Sequence, residues 1–439
     1  MTETAARSID GLKDIPHPSA ASGSEYVRGW QVYAILLTLF LVSAISQADR
    51  ILPFIMVEAI KGELSLSDTQ VGLLTGVPFA ICYTLLSLPL GRAADRGSPR
   101  LVLVFCIFAW SAMTALGGVA ASFLVLALTR FGVASGEAGA FPAGHAIIAR
   151  KIRPERRGLA IGLFAMGLPL GSMVGFAAGG AIADQFGWRA VLVGAGAIGG
   201  AIGLLVLLVI GPTPPLRATT ATGDSFLRSC ARLLAGPAFR WLFVGAIAVG
   251  FASAPFYAFA GPFLIRIHGF TAGEAGLAFG LLQGLMGILG AVIGGRMFDR
   301  GVQSGTGKVL GPPAYLFLLA SITTAAALFV PAGWAAVALL VPGMLSFAFM
   351  LPFAFGAAHL VAGKGREAQA TSIVMVGSGL MGPALGPLIV GLVSDAVSAA
   401  QIPNGVALGL LVVPVASVAT ALAMLVADRR IAAAAAARR

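Results

Sequence analysis

The twenty residues from Val191 to Ile210 carry no charged, hydroxyl or amide side chain. A helix of that length crosses the ~30 Å hydrocarbon core of a bilayer, where backbone polar groups can be satisfied only within a helix or a closed barrel. Comparable apolar runs recur along the chain, and the alternating ten-residue strands of a barrel are absent. Hydrophobic residues make up 58% of the 439 positions and charged ones 11%, whereas soluble domains carry about 25% charged residues. The spacing therefore predicts an all-α polytopic membrane protein with about a dozen spans.

Twelve spans are expected, near residues 30–57, 68–91, 101–121, 123–149, 158–182 and 188–211, then 240–265, 271–295, 310–330, 333–360, 368–394 and 404–427. This gives two six-helix bundles, 30–211 and 237–427, joined by a Pro- and Thr-bearing linker at 212–236. Residues 1–29 are polar and precede a hydrophobic stretch too long for a signal peptide, so they read as a retained tail. Residues 428–439, with the run Ala432 to Ala437, read as a second tail. Of the 29 basic residues, Lys61, Arg189 and Arg266 fall on one side and Arg50 and Arg130 within the membrane, and the remainder fall on the other side. Retention of positive charge then puts both termini in the cytoplasm, with a bacterial inner membrane as the location. The net charge of +11 follows from this topology and from anionic lipid headgroups, and needs no nucleic-acid partner.

The chain contains no Gly-x-x-x-x-Gly-Lys-Ser/Thr loop and no His/Cys cluster, so neither ATP hydrolysis nor a metal or other cofactor is expected, and the chain does not read as an enzyme. Cys82, Cys106 and Cys230 lack metal-ligand spacing and read as structural. His145 and His359 sit near corresponding helix ends and read as local hydrogen-bonding groups.

Against this apolar background stand Asp49, Arg50, Arg130 and Glu137. Each charge at a helix centre costs roughly 2.5–3.5 kcal/mol, so four unpaired ones would cost on the order of 10 kcal/mol. Arg130 and Glu137 are seven residues apart and share one helix face. Rise per residue puts Asp49, Arg50 and Arg130 at similar depth and Glu137 deeper, so that Asp49 can exchange partners between the two arginines. A carboxylate beside arginine is favoured as the anion, and one buried without its partner is favoured neutral, so separating them loads or releases a proton. A permanent ion-pair network would use the same residues.

The halves repeat. Gly171, Gly175, Gly180 and Asp184 recur 211 residues later as Gly382, Gly386, Gly391 and Asp395. Gly91-Arg-Ala-Ala-Asp95-Arg96 recurs 204 residues later as Gly295-Arg-Met-Phe-Asp299-Arg300. The pattern Gly-x-x-x-Asp-Arg-x-x-x-Arg from Gly91 to Arg100 resembles the signature loop of the major facilitator superfamily. That likeness implies a conformational latch in Gly91, Asp95, Arg96 and Arg100, with Asp95 holding the outward-open state against the eleventh span; loop arginines that merely set topology would look the same. Asp49-Arg50, the stretch from Leu64 to Gly76, Arg130 to Ala138 and Pro154-Glu-Arg-Arg157 together resemble the spinster-like branch. This resemblance implies proton-linked export of lysophospholipid or sphingoid-type amphiphiles, with coupling at Asp49, Glu137, Arg50 and Arg130.

The second half lacks such a charge set. It offers Phe251, Phe256, Tyr257 and Phe259 in the seventh span and Met344, Phe347, Phe349, Met350, Phe353 and Phe355 in the tenth. A cavity charged on one wall and lined by aromatic and Met side chains on the other suits an amphiphile, although lipid-facing or packed aromatics would look identical. The candidate cavity set is Gln47, Tyr83, Phe256, Tyr257, Gln283, Met350 and Phe353. The expected function is a monomeric, proton-coupled secondary transporter that moves a lipid-like solute by alternating access. The alternatives are a symporter importing an organic anion and a transport-dead membrane sensor of the same fold.

Overall fold

The computed structural model describes residues 26–153, 156–213, 226–304, 308–362 and 367–436. The expected tail over residues 1–25, Pro154 and Glu155 of the branch motif, and residues 214–225 of the linker lie outside them. The described residues are helical almost throughout, with no strand among them.

The first half comprises α1 (Trp30–Leu64), α2 (Asp68–Arg96), α3 (Pro99–Gly117) and α4 (Phe123–Lys151), followed by the continuous run Arg157–Val209. Within that run Gly187 has φ 77°, a left-handed conformation that costs glycine little. It turns the chain without a loop and divides the run into α5 (157–186) and α6 (188–209). The second half comprises α7 (Pro237–His268), α8 (Ala272–Gln303), the shorter α9 (Gly311–Ala327), α10 (Gly333–Ala362), α11 (Gln369–Ala399) and α12 (Gly405–Ala433). The expected linker contains a helix of its own, Phe226–Ala235, and α7 and α8 extend beyond their expected limits of 240 and 295.

Duplication is visible in how helices start. The Ser67 hydroxyl accepts from the N–H of Gln70 while the Gln70 side chain accepts from the N–H of Ser67, and Thr271 and Glu274 do the same at α8. These capping boxes, 204 residues apart, satisfy two orphan donors at each helix start.

The halves meet along two equivalent seams, α2 with α11 and α5 with α8. Glycine makes both possible. A Cβ on Gly391 would strike the carbonyl of Asp68, and one on Gly180 would strike that of Ala272. One turn on, a Cβ on Gly72 would strike the Pro387 carbonyl and one on Gly276 that of Phe176. These approaches lie at the face remote from the termini, here called the distal face. Toward the termini face, by contrast, a Cβ on Gly158, Gly162, Gly295 or Gly379 would meet nothing within 4 Å. The molecule is closed at the distal face. Along this seam α2 and α11 each carry a π-helical turn, Phe79–Tyr83 and Gly377–Met381, and the two turns touch.

Candidate functional site

Asp49 and Arg50 are neighbours on α1, so their side chains leave the helix about 100° apart and reach different helices. Asp49 turns toward α3, where the Thr114 hydroxyl donates to its Oδ2 at 3.5 Å while Oδ1 has no hydrogen-bond partner among the described residues. Arg50 turns between α2 and α4, and its Nε and Nη2 both donate to Glu137 Oε2, at 3.2 and 2.9 Å. Its guanidinium lies 4.8 Å from the Phe79 ring centre and 5.0 Å from that of Tyr83, both presented by the π turn of α2. Arg130 approaches the same Phe79 ring at 5.1 Å. Phe79 is thus shared by two cations, which its π face attracts.

In this conformation Asp49 forms no ion pair with Arg50 or Arg130 among the described residues. Glu137 is the ion-pair partner, and it pairs with Arg50, the long guanidinium arm covering the difference in depth that rise per residue had implied. Glu137 ends the first segment of α4; the helix breaks at Ala138 and Gly139 and resumes at Ala140. Close packing sets this position: Cβ atoms on Gly136 and Gly139 would meet Trp110 N at 2.8 Å and Cys106 Sγ at 2.5 Å. Asp49, Arg130 and Glu137 are 0, 4 and 1% exposed. The Arg50 side chain, at 31%, is the member of the set that reaches accessible space.

The cavity candidates separate. Tyr83 belongs to the Arg50 site. Gln47 donates to Ser172 on α5 at 3.0 Å, and Oε1 of Gln283 is buried without a partner. Tyr257 stacks obliquely with Phe347. Phe256 and Phe353 do not line open space in this conformation: Phe256 packs against Phe279 and Phe347, and Phe353 against Phe298 and Phe349. Because α10 is apolar on every side, its sequence gave no periodicity to distinguish its inner face from its outer one. Met350 lines an apolar groove with Leu242, Phe347, Phe355 and Met424. His145 binds the Phe141 carbonyl and His359 the Thr371 hydroxyl.

In the signature loop, Gly91 lies against Pro142, while Arg92, Asp95 and Arg96 are exposed. Arg100 donates to the Leu207 carbonyl of α6 at 2.6 Å. Arg150, which sequence reasoning overlooked, ties the loop to α4 by donating to the backbone carbonyls of Ala94, Asp95 and Gly97.

A second group that sequence reasoning missed closes the distal face. Arg266 of α7 donates to both oxygens of Glu58 at 2.7 Å and to both oxygens of Asp68, at 2.7 and 2.8 Å. Lys61 and Ser394 also reach Asp68, at 2.5 and 2.6 Å. Asp395 of α11 accepts from the N–H groups of Asp68 and Thr69 at the start of α2, and Asp184 of α5 accepts from those of Ala272 and Gly273 at the start of α8. Carboxylates at helix N-termini are favoured by the orphan donors and the helix dipole. The two aspartates found by the 211-residue repeat thus perform one task twice, each across the seam. The available signal for Arg266 was its place on the face where basic residues are scarce. Arg266→Ala is expected to cost the closed distal face about 1–3 kcal/mol, since Asp68 loses two of its charge-assisted bonds. Distances between spin labels on the distal helix ends would report the widening.

Comparison with protein families matches the Major Facilitator Superfamily over residues 39–387. The chain belongs to the major facilitator superfamily. An MFS-type efflux pump of Mycolicibacterium smegmatis is 33% identical over 381 residues, 84% of this chain and 86% of that protein. A probable L-galactonate transporter of Escherichia coli is 32% identical over 188 residues, 42% of this chain and 41% of that one. Among solved structures, a bacterial homologue of the human lysosomal transporter Spinster, inward-facing and unoccupied, is similar with a TM-score of 0.77 at 26% identity, covering 93% of this chain and 98% of that chain. This facilitator is a multi-pass membrane transporter rather than an enzyme, with two pseudo-symmetric six-helix bundles.

Proposed function

We propose that this facilitator exports an amphiphilic, lipid-like solute in exchange for protons, with the termini face in the cytoplasm. The observation that carries the reading is the Arg50–Glu137 pair beside the buried Asp49 and Arg130. Three of these four groups are sealed from solvent, and ionisable groups are rarely maintained at such depth without a transport task. Asp49 is the principal proton site and Glu137 the second. A proton on Glu137 removes the negative charge that holds Arg50, so loading it frees the Arg50 guanidinium, the accessible member of the set, for an anionic headgroup. Arg130 supplies a further positive charge beneath Phe79. The greasy part of such a solute falls to the apolar second half, where Leu242, Phe347, Met350, Phe355 and Met424 line a groove of about 40 Å³ that must widen around it. With the termini cytoplasmic, the state described is inward-open, and the exposed Asp95 is the latch that engages α11 once the termini face closes. A single chain holds every group invoked.

The efflux pump among the relatives supports export, and the likeness to the Spinster homologue agrees with the spinster-like pattern of the first half. The L-galactonate transporter supports transport of an organic anion, and the second reading is its proton-driven import on Arg50 and Arg130.

Purified protein in liposomes under an imposed pH gradient tests both. A lysophospholipid is expected to evoke proton flux, and Asp49→Asn is expected to reduce that flux to the level of empty liposomes while leaving solute exchange without a gradient intact. Undiminished gradient-driven flux in Asp49→Asn would remove Asp49 from coupling. Flux evoked by sugar acids and not by lysophospholipid would favour the second reading.

A further inference from the structure

A cavity of about 1110 Å³ lies at the termini face between the start of α1 and the ends of α4 and α6, remote in the fold from the Arg50 site. Its walls carry Arg28, Lys151 and Arg153, and no carboxylate is among its described lining residues. The segment before α1 is pinned there: the Val27 N–H donates to the Lys151 carbonyl at 3.1 Å, and Gly29, at φ 61°, turns the chain into the helix. The Lys151 ammonium points across to α6, where a Cβ on Gly211 would lie 3.8 Å from Nζ. No ion pair of these three cations is found among the described residues.

Three unneutralised cations in one concavity suit a phosphate anion, which could arrive free or on a lipid. The surroundings favour the lipid. Trp30 and Leu208 line the cavity and are 75% and 84% exposed. Tyr33 and Leu37 continue the Trp30 face of α1 at helical spacing, and Leu204 continues the Leu208 face of α6, all of them exposed. An apolar track therefore leads from the basic pocket along the helices, as acyl chains require. Tyr26, Trp30 and Tyr33 stand at the end of the span, where aromatic side chains sit at headgroup level. Basic pockets between helices at this level bind anionic headgroups.

We infer that the cavity formed by Arg28, Lys151 and Arg153 between α1, α4 and α6 is a binding site for an anionic phospholipid of the termini-side leaflet. The phosphate rests on the three cations and the acyl chains follow Tyr33 and Leu37 on α1 and Leu204 on α6. The site is independent of the transported solute.

Full-length protein, purified and delipidated in neutral detergent, provides the test. Phosphatidylglycerol is expected to raise the thermal unfolding midpoint saturably, because a ligand of the native state stabilises it by mass action, while phosphatidylcholine and inorganic phosphate leave it unchanged. The triple variant Arg28→Gln, Lys151→Gln, Arg153→Gln is expected to lose the shift, and Lys151→Arg with Arg153→Lys to keep it. A photoactivatable phosphatidylglycerol is expected to label peptides spanning residues 26–37 and 204–211 of the wild-type chain, a readout that does not depend on any variant folding. An equal shift with phosphatidylcholine, a full shift in the triple variant, or labelling confined to other peptides would overturn the proposal. A shift produced by inorganic phosphate alone would overturn the lipid assignment in favour of a soluble anion.

Discussion

Replacing Arg50 by alanine is expected to abolish transport and to destabilise the protein by about 3 kcal/mol, the lower end of the cost of leaving a buried charge without its partner. Glu137 is the reason. Its side chain is wholly buried, and Oε2 relies on both donors from Arg50. The variant would also lose the guanidinium from the faces of Phe79 and Tyr83. Arg50→Lys should recover part of the stability, because an ammonium keeps the charge but cannot offer the same two-pronged geometry or ring stacking. Arg50→Ala combined with Glu137→Ala should be more stable than Arg50→Ala alone, since no charge is then stranded. Chemical unfolding in detergent measures all three together with Glu137→Ala alone, and simple additivity of the two alanine variants in this cycle would show that the pair is not coupled.

Gly391→Leu is expected to eliminate transport by a different route. The distal face closes only because α11 lies so near α2 that any side chain at this position would enter the Asp68 carbonyl. Backbone on both sides leaves nothing flexible to give way. The variant should fold, because the clash is confined to one seam and leaves the first-half cluster around Trp110, Ile107 and Val133 untouched, but it should be trapped open at the distal face. Gly180→Leu on the equivalent α5–α8 seam should behave alike, because a Cβ there would enter the Ala272 carbonyl. Gly194→Leu is the control, since no atom lies within 4 Å of a Cβ there. Spin labels on the distal ends of α1 and α11 should report longer distances in both seam variants and native ones in the control. Normal transport by Gly391→Leu would show that full distal closure is not part of the cycle.

Both predictions concern features that the sequence disclosed unequally. The seam glycines were visible as a repeat: Gly180 and Asp184 reappear as Gly391 and Asp395 because duplicated helices must make the same close approach twice. The span count was legible for an equally direct reason, since a bilayer demands long apolar runs. The chain turn at Gly187 was legible as well, because Asp184, Gln185 and Arg189 interrupt the apolar run between the expected spans 158–182 and 188–211. The four buried charges stood out because their background is apolar.

Their partners did not stand out. Helices apolar on every side offer no stripe from which to read which face meets which neighbour, so the choice of Glu137 over Asp49 as the partner of Arg50 could not be deduced from residue spacing. The same holds for Arg266, whose partners Glu58 and Asp68 lie 208 and 198 residues away in the chain. Sequence by itself determined the environment, the number of helices, the duplication and the identity of the buried charges, because a hydrocarbon solvent dictates composition locally. Only the tertiary structure decided which charges pair, which aromatics are packed away and which face is closed. Those outcomes depend on the rotation of each helix about its own axis, which is fixed by packing against helices distant in the chain.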